Sequence, residues 1–328
     1  MTKNFLKALI IIIMVSACKN ANQSSENKEE KAEEQMEESE NESKDPFFKL
    51  SLAQWSLHKM IQSGEISPLD FAEKAKELGF EGLEYVSQLY TDKLKEGNDP
   101  KKAMDNLLDS LKQKSDAYGV KNLIIMIDGE GDLATTDEKE RNQAVENHKK
   151  WVDAAQFLGC HSIRVNLFGT NDPEEWVNTS VDGLKKLSEY AATKNVNVLV
   201  ENHGYLSSNA QLLVEVMEKV NMKNCGTLPD FGNFCLEREG GQRWGAPCVK
   251  EYDKYQGVKE LMEYAKAVSA KSYAFDDQGY ETTIDYKKML DIVKNSGYDG
   301  FIGVEYEGSG SEIEGIKATR DLLLQAAN

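Results

Sequence analysis

The sequence predicts a single (β/α)8 barrel, and three observations lead there. Between residues 47 and 328, apolar runs of strand length alternate eight times with amphipathic segments of helical period. Eight such units in that length have the size and rhythm of a closed parallel barrel. Several of the strand candidates stop on a carboxylate, an amide or an imidazole, as expected where strand ends form a reactive rim. A doubly wound open sheet is the alternative, but no G-x-G-x-x-G follows the first strand, and no second folded domain is indicated.

In chain order the strands are KLSLAQWS, GLEYV, NLIIMID, SIRVNLF, VNVLVEN, GTLPDFG, VSAKSYAF and FIGVEYE. Each is rich in the β-branched, leucine and aromatic residues that suit a strand covered on both faces. Helical periodicity fills the intervals at residues 68–78, 103–118, 138–158, 174–194, 210–220, 258–265, 284–296 and 313–326. The first helix carries plain boundary signals, Ser67-Pro68 at its start and Gly79 at its end.

Ahead of the barrel, residues 1–17 read as an export signal: Lys3 and Lys7 precede an apolar run from Ala8 to Val15, and small residues follow. That run is well short of the roughly 20 residues that span a bilayer. Val15-Ser16-Ala17-Cys18 resembles a bacterial lipobox, which implies acylation of Cys18 and anchoring by lipid alone. Lys19 is not the aspartate associated with inner-membrane retention, so the outer membrane is expected, with the leaflet open. Residues 18–46 form an acidic tether in which positions 24–44 hold nine Glu against three Lys and almost nothing apolar. Such a segment buries no core and repels itself into extended, disordered forms.

The formal net charge is −17, and the chain remains acidic without the tether, which argues against nucleic acid as a partner. An exported compartment permits disulfides. Cys235 and Cys248 bracket CLEREGGQRWGAPC and are expected to close it, whereas Cys160 and Cys225 stand at strand starts and are expected to be buried thiols. No C-x-x-C suggests a zinc ribbon or a thioredoxin-type site.

The strand ends carry the chemistry. Strand five delivers Glu201, strand six Asp230 and strand eight Glu305, close neighbours around one rim. Converging carboxylates raise one another's pKa, and a divalent cation relieves that repulsion. Oxygen-rich ligation favours magnesium or manganese, with cobalt or zinc if imidazole joins. His203 shares a face with Glu201 by the period of two, placed to meet substrate or metal.

The spacing of VLVENHG, GTLPDFGN and GFIGVEYEG at strands five, six and eight resembles the xylose isomerase-like TIM-barrel family, which includes sugar isomerases, ketose 3-epimerases and endonuclease IV. The resemblance covers residues 48–327 and is most specific in the closing GYDGFIGVEYEG. For the epimerase branch it implies a metal held by a glutamate, an aspartate, a histidine and a second glutamate, hence Glu201, Asp230, a residue of strand seven and Glu305. Strand seven has no histidine; alignment on Asp276 puts Tyr273 at the ligand position with Lys271 beside it, either of which could hold substrate instead. The resemblance further implies that Glu201 and Glu305 act as an acid and base pair on a keto-sugar. The same apparatus suits an epimerase, a lyase or a hydratase. An endonuclease is disfavoured, since only His58 and His203 of the histidines approach the rim.

Further candidates line the same end. Arg164 and Asn166 share one face of strand four, where an interior arginine pairs with a ring carboxylate or binds substrate oxygens. Gln54 and Trp55 on strand one, His58 beyond it and Glu84 on strand two could serve substrate or merely packing, and Trp55 could stack on a sugar face. His148, within a helix, and His161, at the far end of strand four, are expected to be structural. The long connection after Asp230 carries Arg243 and Trp244 and reads as a lid or as a pinned surface loop. A lipoprotein that binds carbohydrate without turning it over is the reading from another class; loss of activity in Glu305→Gln would separate the two.

Overall fold

The structure is a computed structural model that describes residues 45–327. The export signal, the lipidation of Cys18 and most of the acidic tether lie outside the described residues. Eight parallel strands form one sheet: β1 Lys49–Ala53, β2 Gly82–Val86, β3 Lys121–Met126, β4 Ser162–Val165, β5 Asn197–Glu201, β6 Cys225–Leu228, β9 Val268–Ser272 and β10 Phe301–Tyr306. The hydrogen-bonded order runs from β6 through β5, β4, β3, β2 and β1 to β10 and β9. Parallel bridges Thr227 to Ala265 and Asp230 to Ser269 then join the two ends. The predicted TIM-barrel class is what the chain forms. Among the described residues, no helix is long and apolar enough to cross a membrane.

Side-chain alternation divides the core in two. Leu52, Leu83, Ile125, Ile163, Val165, Val198, Val200, Val268, Ile302 and Val304 point outward and pack under the helices. Ala53, Val86, Ile124, Met126, Leu199 and Leu228 point inward and fill the barrel. Strands apolar on both faces read as unbroken runs, which is why eight were visible in the sequence.

The covering helices are α1 Phe71–Glu77, α2 Pro100–Tyr118, α3 Glu138–Leu158, α4 Pro173–Ala192, α5 Ala210–Val220, α6 Lys254–Leu261, α7 Tyr286–Asn295 and α8 Glu312–Ala326. Among the helices that begin elsewhere than the periodicity predicts, three show the reason. Asp99 caps α2 with Pro100 at its first position, three residues early, and Asp253 caps α6 four residues early. Asp285 caps α7, so Ile284 lies outside it. In each case the capping carboxylate, not the first apolar residue, sets the boundary.

After β6 the chain leaves the barrel as an antiparallel hairpin, β7 Cys235–Arg238 and β8 Cys248–Glu251. The disulfide between Cys235 and Cys248 ties its base, with the two Cα atoms 5.8 Å apart, as expected. Cys160 and Cys225 are buried free thiols.

Candidate active site at the barrel mouth

The ends of β5, β6, β9 and β10 place their polar side chains inside the barrel. Glu201, Asp230 and Glu305 are all buried, and each offers a carboxylate oxygen within 4.8 Å of the others. Two cations from neighbouring strands meet them. On β4, Arg164 Nε lies 2.9 Å from Glu201 Oε2, and its Nη1 lies 3.2 Å from Asp128 Oδ1. On β9, Lys271 is in register with Glu305; its Nζ lies 2.9 Å from Glu305 Oε1 and 3.1 Å from Glu307 Oε2. Of the two roles open to Arg164, the structure places it in ion pairs. Lys271 is likewise held by carboxylates.

Asp230 is the anchor of the ring. Its Oδ1 accepts from the backbone N–H groups of Gly232 and Asn233, at 2.8 and 2.7 Å, and its Oδ2 accepts from Ser269 Oγ at 2.8 Å. Ser269 also lies 3.0 Å from Glu305 Oε2, and Asn233 Nδ2 donates to Glu201 Oε1 at 3.1 Å. Burial pushes Asp230 up to about 8; Lys271 opposes this, while Glu201 and Glu305 add to it. Burial also raises Glu201 against Arg164 and Lys271, and raises Glu305 against Lys271. Glu307 moves the other way: Lys271 overcomes its burial and holds it down at about 2.

The donor set fits a divalent cation. Asp128, Glu201, Asp230, Glu305 and Glu307 outnumber Arg164 and Lys271, so the site holds more carboxyl groups than cations to pair with them. Glu201 Oε2 is buried and, though close to Arg164, makes no aligned hydrogen bond, so it keeps a free lone pair. Three converging carboxylates are the ligation that hard cations take.

A second line of polar groups runs outward from Arg164. Asn166 Nδ2 donates to Asp128 Oδ1 at 2.7 Å, which aims its carbonyl oxygen at His203 Nδ1, also 2.7 Å away. An amide oxygen only accepts, so Nδ1 carries the proton and Nε2 keeps its lone pair. Burial, then Arg164 and Lys271, lowers His203 to about 4, so the ring is neutral at physiological pH.

Trp55 donates through Nε1 to Glu307 Oε1 and stacks on His58, with centroids 4.3 Å apart. His58 is turned to the Trp55 carbonyl oxygen, 2.6 Å from its Nδ1, and supports the indole. Gln54 is structural, bonding Tyr90, Pro68 and the Val86 N–H. Tyr273 lines the cavity, its hydroxyl close enough to Gly232 that a Cβ there would lie 2.7 Å from it. His148 is buried on α3 with Nδ1 2.7 Å from the Ala144 carbonyl oxygen, and its edge reaches the cavity wall. His161 lies 2.6 Å from Ser162 Oγ, at the N-terminal end of β4, away from the mouth.

Arg243 and Trp244 do reach the site. The disulfide-tied loop carries Trp244 to within 4.9 Å of His203, and stacks Arg243 at 4.5 Å on Phe168. With Asp128, Arg164, Asn233, Tyr273 and Glu307 they enclose a cavity of about 640 Å³. Sequence reasoning missed Asp128, Asn233 and Glu307. Asp128 ends NLIIMID as Glu201 ends its own run, and Glu307 follows Glu305 at the period of two, so both signals were present.

Glu84 lies deeper, inside the barrel. Ser51 Oγ donates to its Oε1 at 2.6 Å, and its Oε2 has no partner. It fits only because residue 303 is glycine, where a Cβ would fall 2.5 Å from the carboxyl. Burial pushes Glu84 up to about 8, against the Ser51 hydrogen bond. A carboxyl with a raised folded-state pKa stabilises fully below its ordinary value of 4.5, and that stability is lost as pH rises through about 8. Glu84→Gln removes the loss: at about pH 9 the variant should be more stable than wild type by roughly 1–3 kcal/mol, and at about pH 5 it should not. Thermal unfolding at the two pH values checks this, and an advantage for wild type at both contradicts it.

Comparison with known proteins agrees with this fold. The family model described as xylose isomerase-like TIM barrel matches residues 72–326. Inosose dehydratase of Geobacillus thermodenitrificans (strain NG80-2) is 25% identical over 149 residues, 41% of this chain and 48% of that protein, so the match spans about half of the relative's length. Among solved structures, the IOLI protein with a bound zinc atom superposes with a TM-score of 0.61 at 17% identity, covering 85% of this chain and 98% of that one. The 3-keto-D-glucoside 4-epimerase YcjR of E. coli does so with 0.59 at 14% identity, covering 79% and 94%. At such identities the superpositions establish the fold alone, while the family match spans most of the chain: the protein belongs to the xylose isomerase-like TIM barrel family.

Proposed function

We propose that the protein is a sugar isomerase or epimerase-like enzyme that moves a proton at the carbon next to the carbonyl of a keto-sugar, with Glu201 and Glu305 as the acid and base pair. The observation that carries this is the pairing itself: two buried glutamates face one point, each with its own cation, Arg164 or Lys271. Asn233 holds Oε1 of Glu201, while Oε2, beside Arg164, keeps a lone pair for a substrate proton. Arg164 and Lys271, themselves buried, offset negative charge as it develops nearby. His203 Nε2 accepts from a substrate hydroxyl, and Trp55 and Tyr273 provide walls.

Glu201, Asp230 and Glu305 would hold a divalent cation, among manganese, magnesium, cobalt and zinc, with Tyr273 as the neighbour that sequence alignment suggests. When bound, that ion supplies Lewis-acid polarisation of the carbonyl. The IOLI neighbour with its zinc supports this reading. Elimination or addition of water at a keto-sugar is the second reading, favoured by the relative named inosose dehydratase.

The test is solvent deuterium uptake by a panel of keto-sugars, followed by NMR. Wild type should exchange the proton beside the carbonyl, and Glu201→Gln and Glu305→Gln should each lose about 10²-fold or more. Full exchange in either variant would remove that residue from the pair.

We further propose that the protein is exported and held to the outer membrane by acylated Cys18, on the evidence of Lys3, Lys7, the apolar run and the small residues before the cysteine. The Cys235–Cys248 disulfide is consistent with an oxidising compartment. Labelled palmitate should be incorporated into wild type and not into Cys18→Ala, which should fractionate as a soluble protein; equal labelling of the two would refute the anchor.

A further inference from the structure

The cavity is larger than the reaction requires. Its roughly 640 Å³ falls within the range of sites that enclose drug-sized ligands, several times the bulk of one sugar ring. Proton transfer between Glu201 and Glu305 occupies only the inner end, where the carboxylate oxygens lie within 4.8 Å of one another. The outer end is roofed by the hairpin loop, which leaves the chain after β6 and crosses above β5 and β4 to the loop that follows β3. Trp244 packs over Gly204 and His203, Arg243 lies on Phe168 after β4, and the Arg243 guanidinium reaches within 3.7 Å of Asp132 after β3.

This roof is pinned at its base and yet unfinished. The disulfide fixes its base, and Phe168 meets the Trp244 indole edge-on at 5.9 Å. Nevertheless 45% of Trp244 stays exposed, one of few large apolar side chains so exposed among the described residues. An indole held in place beside a cavity, with a guanidinium and carboxylates around it, matches the two needs of a pyranose ring: an aromatic surface for its C–H face and planar charged groups for its hydroxyls. His203 joins the two ends, touching Trp244 on one side and Asn166 on the other. A ring beside Trp244 is therefore one side chain away from the ring at the carboxylates.

We propose that Phe168, Arg243 and Trp244 form a second sugar-ring subsite, so that the substrate class is a glycoside or disaccharide carrying its keto group on the inner ring, not a free monosaccharide. The subsite rests on the proposed reaction only for where the inner ring sits. Its own prediction concerns affinity for the outer ring.

The experiment uses the full-length protein in detergent with three probes: 3-ketoglucose, its methyl glycoside and a 3-keto-disaccharide. Deuterium uptake gives kcat and KM, and calorimetry gives Kd, for wild type, Trp244→Ala and Trp244→Phe. The expected result is at least a tenfold preference of wild type for the disaccharide over 3-ketoglucose. Trp244→Ala should abolish that preference by raising KM for the disaccharide to that for 3-ketoglucose, and Trp244→Phe should restore most of it. Tighter binding of the disaccharide that depends on Trp244, without turnover of any probe, would uphold the subsite and sink the proposed reaction. Equal affinity for the three probes, no binding of any, or an equal loss on all three in Trp244→Ala would overturn the subsite.

Discussion

Burying Glu201, Asp230 and Glu305 together is the constraint on which the rest of the mouth depends. Carboxylates removed from water cost several kcal/mol each unless charge and hydrogen bonds are returned to them. The barrel returns both from adjacent strands: Arg164 of β4 to Glu201 of β5, and Lys271 of β9 to Glu305 of β10. Asp230 gains two backbone N–H groups and Ser269, and the same residue pair, Asp230 with Ser269, bridges the two ends of the sheet. Closing the barrel and assembling the carboxylate ring are thus one event. The excess of carboxylates that remains is what makes a divalent cation a natural further partner.

Much of this was legible in the sequence, for physical reasons. Parallel strands covered on both faces must be apolar runs, so the eightfold alternation showed the fold, and a polar residue ending such a run has few places to point except the rim. The Cys235–Cys248 pairing followed from two cysteines bracketing one loop. What the sequence did not show was reach. Periodicity puts Lys271 and Arg164 on the inner face, but only register across β9 and β10, and across β4 and β5, tells which carboxylate each one meets. Asp128 ends its apolar run as Glu201 does, but only the folded chain shows that Arg164 and Asn166 meet it. The path of the hairpin over β4 and β5 depends on contacts of Trp244 and Arg243 with residues far away in sequence, and no local pattern encodes it.

The polar line from Asp128 through Asn166 to His203 divides the labour of the site. Fixing the Asn166 amide fixes the His203 tautomer, which leaves one unprotonated nitrogen facing the cavity. On one side of that imidazole are carboxylates suited to proton transfer; on the other is an aromatic roof held by a disulfide. In the proposed reading, chemistry falls to the strand ends and recognition to the hairpin, the division that lets one barrel scaffold accommodate different substrates.

The most direct measurement is the metal content of the purified full-length protein and of Asp230→Asn, each exposed to manganese, cobalt and zinc and then freed of excess ion. The carboxylate ring described above predicts about one equivalent retained by wild type and lost in the variant. No retained ion, or equal retention by both proteins, would contradict it and leave Arg164 and Lys271 as the only cations of the site.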